Sequence, residues 1–465
     1  MSPTSGFRLP HVLLPRPGID LRKWAVIACD QHTAEPAYWQ GVAEEVGDAP
    51  STLNLIFPEA YLEHADAPAR IEAIQRCMRR YVDEGLFVEH HGTIYVERRI
   101  GARHRRGLML ELDLECYDFS PQSTSLIRPT EGTIVSRLAP RIAVRSGAPL
   151  ELPHILVLID DREGTVIEPV AAEVAAATAH DRANGSARPL YETELMLGGG
   201  HVTGYAVDAE RAERLVRALQ ALGSPEGNAR RYGLPEPQQG KEGASPMLFA
   251  VGDGNHSLAT AKSLWERIKP EVGMDHPARW ALVEVENIHD PALEFEPIHR
   301  LLMGIKGGEP GDVRAALRNA FGAKLAITEQ PSAEAMRARL REIGAAVHAR
   351  GTQASRQAAG LIGPGATFAV VEIADPPSSL AVGTLQPFID GFVESGGASG
   401  IDYVHGDDVL ERVAQQPGHV GLHIGTVSKS ELLQRVVREG PLPRKTFSMG
   451  EADEKRFYVE ARRIG

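Results

Sequence analysis

Asp253, Asn255, His256 and Ser257 crowd into one short stretch, within the run Met247-Leu-Phe-Ala-Val-Gly-Asp-Gly-Asn-His-Ser257. An apolar entry, two glycines and a helix former from Leu258 onward predict strand, turn and helix in that order. Glycine lets a backbone approach a ligand, and the free N–H groups at a helix N-terminus attract an anion. Gly252, Gly254, Asn255 and Ser257 are therefore candidates for holding a phosphate. His256 can donate to that phosphate or move a proton. Asp253 supplies a carboxylate for a metal ion or for orienting a hydroxyl. A tight β–α turn capped by Asp253 is the structural alternative for the same residues.

Three other segments carry chemistry. Ile127-Arg-Pro-Thr-Glu131 precedes Arg137, Arg141 and Arg145. The fork of Arg128 suits phosphate or carboxylate, Thr130 stands beside it, and Glu131 is a candidate base. A solvated arginine face is the alternative. Ala28-Cys-Asp-Gln-His-Thr33 follows the apolar Trp24-Ala-Val-Ile27, and Asp30 and His32 at a strand end are candidate substrate contacts. Cys29 and His32 have the types of a nucleophile pair, but a plain loop accounts for the thiol more simply. Finally, Arg444 and Lys445, next to hydroxyls and Gly450, can grip an anionic substrate or form a basic surface patch.

These segments need elements to position them. Leu86–Val88 and Thr93–Val96, around His90-His91-Gly92, predict a hairpin. Leu108, Leu110, Leu112 and Leu114 alternate with Met109, Glu111, Asp113 and Glu115, which predicts a strand with one buried face. Ile71, Ile74, Met78 and Val82 recur at helical spacing behind Pro68, with Cys77 packed beside them. Ile155–Ile159 reads as a central strand and 208–222 as an amphipathic helix ended by Gly223. Residues 223–246 lack periodicity and read as a long loop. Strands are expected at 279–287 and 367–373, and mostly helix over 310–356. Ser428 and Glu431 form a capping box for a helix that stops at Gly440.

Composition bounds the partners. A chain of 465 residues, 43% hydrophobic and 24% charged, holds two or three globular domains. Its net charge of −12 and the absence of a Lys/Arg run argue against nucleic acid. Three scattered cysteines offer neither a disulfide framework nor zinc spacing, which suits a reducing cytoplasm. No signal peptide or apolar span is apparent, so no membrane is expected.

Asp20-Leu-Arg-Lys-Trp24, Ala28-Cys-Asp-Gln-His-Thr33, Pro50-Ser-Thr-Leu53, Ile127-Arg-Pro-Thr-Glu131, Leu150-Glu-Leu-Pro-His154, Gly252-Asp-Gly-Asn-His256, Asp402-Tyr-Val-His-Gly406 and Leu442-Pro-Arg-Lys-Thr-Phe-Ser-Met-Gly450 together resemble the DUF1015 family, bacterial and archaeal domains of unknown function. The resemblance spans essentially the whole chain. That family is more distantly similar to the ParB/sulfiredoxin superfamily, which implies a compact α+β core with a glycine-bearing loop that holds nucleotide phosphates. The free-serine kinases of that superfamily carry Asp-Gly-His-His/Thr-Arg at this place. The resemblance implies a phosphotransferase using ATP or ADP with Mg²⁺ and acting on a small hydroxyl compound such as serine. Two residues depart from the kinase pattern: Ser257 replaces arginine, and Asn255 stands where the first histidine often is. Positive charge would then come from Arg128, Lys262 or Lys445. Sulfiredoxin chemistry is disfavoured, since the loop has no cysteine.

The expectation is a mixed α/β (α+β) cytoplasmic enzyme. A motif-bearing domain would span residues 1–305, and a second α/β domain 306–465 would send its last segment back to the site. Catalysis would rest on Asp253, His256 and Glu131, with Asp253 holding the metal. Two other activities fit the same residues. One is nucleotide binding without transfer; the other is phosphoester hydrolysis with metal on Asp253, His256 and Asp160 or Asp161.

Overall fold

Short, wholly apolar runs become central strands, because a strand buried on both faces has no polar side to show. In the computed structural model, which describes residues 5–33, 35–62, 64–184, 189–235, 246–306, 310–348, 356–425, 428–450 and 454–465, the fold is mixed α/β. One compact unit comprises Met1–Glu294, Leu433–Pro441 and Met449–Gly465; the other comprises Phe295–Leu432 and Leu442–Ser448. The division therefore falls earlier than residue 305, and residues 449–465 group with the first unit. No described helix is long and apolar enough to cross a membrane.

The first unit is built on one sheet. Its order is Ile127–Pro129, Phe249–Asp253, Leu156–Ile159, Trp280–Asn287, Arg103–Asp113, Ile94–Ile100, His201–Ala206, Tyr191–Glu194, with Phe7–Arg8 also on Arg103–Asp113. The first pair is parallel, while Phe249–Asp253 and Leu156–Ile159 run antiparallel. Leu108, Leu110 and Leu112 pack on one side with Leu215, Leu258 and Trp265 from the helices Ala209–Leu222 and Asn255–Val272. Met109 packs on the other side with Trp39, Phe457 and Val459.

That second layer corrects the expectation of a one-faced strand. Glu111 and Asp113 are fully buried too, paired with Arg8 and Arg279, each at 2.6 Å. Alternation of type signalled a solvent face, but ion pairing lets the polar side go under cover. The hairpin is also corrected: Phe87–His91 pairs with His11–Pro15 and not with the strand that follows it. The 223–246 loop holds a helix at Pro225–Tyr232, opened by the Ser224 cap, and residues 236–245 lie outside the described residues. The helices at Ala67–Asp83, Ala209–Leu222 and Lys429–Glu439 match their patterns.

The second unit has a sheet ordered Leu325–Gln330, Thr367–Ala374, Arg356–Gly363, Val420–His423, Phe295–Met303, Gly400–His405. Pro310–Phe321, Ala333–His348, Ala381–Glu394 and Asp407–Ala414 are its main helices. The strand Leu325–Gln330 interrupts the stretch read as mostly helical.

Residues 454–465 thread into the first unit. Ala28 N–H donates to Arg456 O, and Tyr458 N–H donates to Val26 O. The buried Arg456 guanidinium reaches Glu284 at 2.7 Å, Glu460 at 2.8 Å and the carbonyl of Pro153 at 2.9 Å. Removing one partner of a buried ion pair leaves an uncompensated charge and costs about 3–5 kcal/mol. Arg456→Met should therefore lower the unfolding free energy by about 3–5 kcal/mol in urea titration; a loss below about 1 kcal/mol would show that the two carboxylates do not depend on it.

Candidate functional site

The site grows from the end of the Phe249–Asp253 strand. Gly254 turns the chain with φ 76°, and the helix Asn255–Val272 begins directly after it. A side chain at Gly254 would meet the Ile155 backbone at 3.1 Å, so the turn requires glycine on two counts. Gly252 has another reason: a side chain there would collide with Met449 Sδ and Leu158. Its bareness admits packing, not a ligand.

Asp253 is held from two directions. Its Oδ1 accepts the Gly254 N–H at 3.0 Å, and its Oδ2 lies 3.1 Å from Lys455 Nζ. Burial alone would raise this carboxyl, but the Lys455 charge and hydrogen bond outweigh it and hold it below the usual aspartate range. Asp253 is thus a turn cap, and it is also an ionised group kept beside a buried cation.

The neighbouring strand sets Glu131 close by. Pro129 pairs with Val251 in parallel register, so Glu131 and Asp253 leave the sheet at the same end. Thr130 binds the carbonyl of Val251 through both its N–H and its hydroxyl, at 3.2 and 2.6 Å, and so serves the sheet. Arg128 is buried and donates to the carbonyls of Ser125 and Thr124. His256 Nε2 accepts the Ile134 N–H at 3.3 Å, which places the proton of a neutral ring on Nδ1. Asn255 Oδ1 is buried with no hydrogen-bond partner among the described residues.

Sequence reasoning missed a polar chain beside the turn. Ser257 Oγ lies 2.8 Å from His154 Nε2, and His154 Nδ1 lies 2.8 Å from the Tyr458 hydroxyl. Asp30 Oδ2 is 3.8 Å from His154 Nε2. The Cys29 N–H donates to the Tyr458 hydroxyl at 3.1 Å. Burial pushes the Cys29 thiol well above its usual value, so it stays protonated. The signal for His154 is the Leu-Glu-Leu-Pro-His154 motif; Lys455 and Tyr458 lie in no such motif.

A cavity of about 140 Å³ adjoins this chain, lined among others by Cys29, Glu59, Arg141, His154, Ser257 and Tyr458. A larger one of about 660 Å³, between Trp39, Phe57, Tyr61, Arg70, Arg76 and Arg80, touches none of the expected site residues. The arginine face is spent in ion pairs: Arg141 binds Glu59 and Arg145 binds Glu151. His32 stacks on Tyr38 with ring centres 3.7 Å apart and pairs with Glu35 at 3.1 Å. Arg444 and Lys445 belong to the second unit, where their carbonyls accept from Arg300.

Asp160 and Asp161 lie away from this end. Leu156–Ile159 runs antiparallel to Phe249–Asp253, with Leu156 opposite Asp253, so Asp160 emerges at the opposite end of the strands. There Asp160 pairs with His289 at 2.7 Å, and Asp161 caps Thr165 and Val166. The metal site shared by Asp253, His256 and Asp160 or Asp161 does not form.

Among the described residues, two groups of three have ligand atoms within 4.8 Å of one another, and neither includes Asp253. His11, Glu89 and His91 are exposed. His299, Asp407 and His423 lie in the second unit, where Ile424 N–H donates to His299 Nδ1 at 3.1 Å. The neutral His299 ring must then carry its proton on Nε2, facing Asp407 at 3.0 Å. A metal there would need that nitrogen bare, so the trio is a carboxylate clamped by N–H groups.

The Asp253–Lys455 pair gives a pH test. A depressed carboxyl contributes stability above its unfolded value, about 3.9, that is lost as pH falls through the lower folded value. In Lys455→Met burial acts without that cation. The Asp253 carboxyl should rise in an NMR titration, and stability at neutral pH should fall by about 2 kcal/mol. An unmoved carboxyl would mean that the lysine does not hold it.

The chain matches the family described as Protein of unknown function (DUF1015) over residues 13–391. No curated protein matches it. Among solved structures it is similar to a free serine kinase mutant in complex with ADP, at 12% identity and TM-score 0.35, covering 77% of this chain and 91% of that one. Free serine kinase in complex with AMP gives 13% identity and TM-score 0.34, with 77% and 91% covered. A conserved hypothetical protein from Pyrococcus furiosus gives 11% and 0.31, with 76% and 90% covered. With most of its length matched, the chain belongs to the DUF1015 family.

Proposed function

We propose that the protein is a nucleotide-dependent phosphotransferase acting on a small hydroxyl metabolite, with free serine as the model acceptor. The observation that carries the proposal is the ionised Asp253, held by Lys455 at 3.1 Å on the turn that opens the Asn255–Val272 helix. A helix N-terminus favours phosphate through its unsatisfied N–H groups and its dipole. Phosphoryl transfer then asks the protein chiefly for positioning and charge neutralisation.

In this reading the phosphates of ATP or ADP lie against the turn at Asn255 and His256, since the Gly254 and Ser257 N–H groups already bond Asp253 Oδ1 and the Gly254 carbonyl, with Lys455 as the local cation. Lys455 takes the part first given to Arg128, whose guanidinium serves backbone carbonyls. The chemistry of one carboxylate plus substrate phosphates suits Mg²⁺, which commonly keeps several waters and takes only one or two protein carboxylates. Asp253 would hold that ion or orient the acceptor hydroxyl. Glu131, at the same sheet end, and Asp30, beside His154, supply the further carboxylates. The 140 Å³ cavity at Ser257 suits an acceptor of a few heavy atoms.

A thermal-shift panel of ATP, ADP, CTP and Mg²⁺, followed by product analysis with hydroxyl amino acids, tests the reading. Bound nucleotide should stabilise the fold by RT ln(1 + [L]/Kd), about 2.7 kcal/mol at 100 Kd. Asp253→Asn should lower turnover by at least about 100-fold while the protein still folds. Full activity in that variant removes Asp253 from the mechanism. A shift without product would instead identify a nucleotide-binding module.

A further inference from the structure

Ser257 enters the preceding reading through its place at the helix N-terminus and beside the cavity, yet its side chain has a geometry of its own. The hydroxyl points at a histidine 2.8 Å away, from a residue 103 positions distant. Nucleophile and base within hydrogen-bond reach, with the base oriented by a third group, is the arrangement that activates a serine. Here the third group is Tyr458, whose hydroxyl lies 2.8 Å from the other ring nitrogen.

The Tyr458 oxygen leaves room for one more donor. It accepts the backbone N–H of Cys29 at 3.1 Å. For His154 to serve as a base, its Nδ1–H donates to the remaining lone pair of the phenol oxygen, 2.8 Å away. The bare nitrogen is then Nε2, the one facing Ser257. Asp30 Oδ2, 3.8 Å from that nitrogen, favours an imidazolium once it forms. The cavity of about 140 Å³ opens on both Ser257 and His154, and the first turn of the Asn255–Val272 helix faces negative charge developing there.

We propose that Ser257 is a covalent nucleophile, with His154 as its general base and Tyr458 as the positioning residue. The identity of the group it carries, a phosphoryl group, rests on the phosphotransferase reading. Ser257 Oγ bonds the phosphorus of the donor nucleotide as the bridging P–O bond breaks. The serine proton passes to His154 Nε2 and on to the leaving phosphate oxygen. In the second half the acceptor hydroxyl gives its proton to the same nitrogen as its oxygen bonds phosphorus. The bond from phosphorus to Ser257 Oγ then breaks, and Oγ takes the proton back. Donor and acceptor exchange one phosphoryl group, and the serine is restored.

The full chain, treated with dimethyl phosphorofluoridate without nucleotide and mapped by mass spectrometry, tests this. One adduct is expected, on Ser257, absent from Ser257→Ala and forming at least about 100-fold more slowly in His154→Gln. Tyr458→Phe removes the hydroxyl but keeps the ring, and should slow the reaction while circular dichroism stays unchanged. No adduct on Ser257 in the unaltered protein, or equal rates with and without His154, overturns the proposal. The reagent needs no nucleotide, so the two readings separate. Labelling at Ser257 without any kinase product would reject the phosphotransferase and leave the nucleophile in place.

Discussion

The buried guanidinium of Arg456 is the constraint on which the first unit turns. It joins Glu284 on a central strand to Glu460 and to the Pro153 carbonyl, which are otherwise remote in sequence. A cation so placed must be neutralised where it stands, because burying an isolated charge is prohibitive. Its position fixes the run around it. One residue before it, Lys455 meets Asp253; two residues after it, Tyr458 meets His154. The chemistry at the turn is thus a by-product of how one arginine is paired.

Local features were legible in the sequence. The strand, the left-handed glycine and the helix of the Gly252–Ser257 loop follow from composition and spacing, and so does the Asp208 cap. What stayed hidden was pairing across long separations. His154, Lys455 and Tyr458 are ordinary residues until the sheet brings them to the turn. Arg128 and Arg141 misled for the same reason: a guanidinium's type announces strong donors, but only the fold shows whether they meet carbonyls, a carboxylate or a ligand. The alternation of Leu108 to Leu114 was read correctly as a strand and incorrectly as half-exposed, since its acids are paired under a second layer.

Net charge gives a similar lesson. The chain carries an excess of twelve acidic groups, yet several arginines lie inside the first unit, at Arg98, Arg105, Arg456 and Arg462. Each draws on backbone carbonyls, and Arg105, Arg456 and Arg462 pair with carboxylates as well. Acidic totals describe the outer surface; they do not forbid a cationic interior where an anion can be received.

The threading of residues 454–465 through the first unit has a kinetic side. Asp253 and Lys455 stand 202 positions apart (455 − 253), and most of the second unit is encoded between them. At about 5–20 residues per second, a ribosome that has released the turn works for roughly 10–40 s before it supplies the lysine. During that interval a nascent chain carries an exposed, uncompensated acidic turn and an open sheet face. Such a chain must keep that face from other apolar surfaces until the lysine arrives.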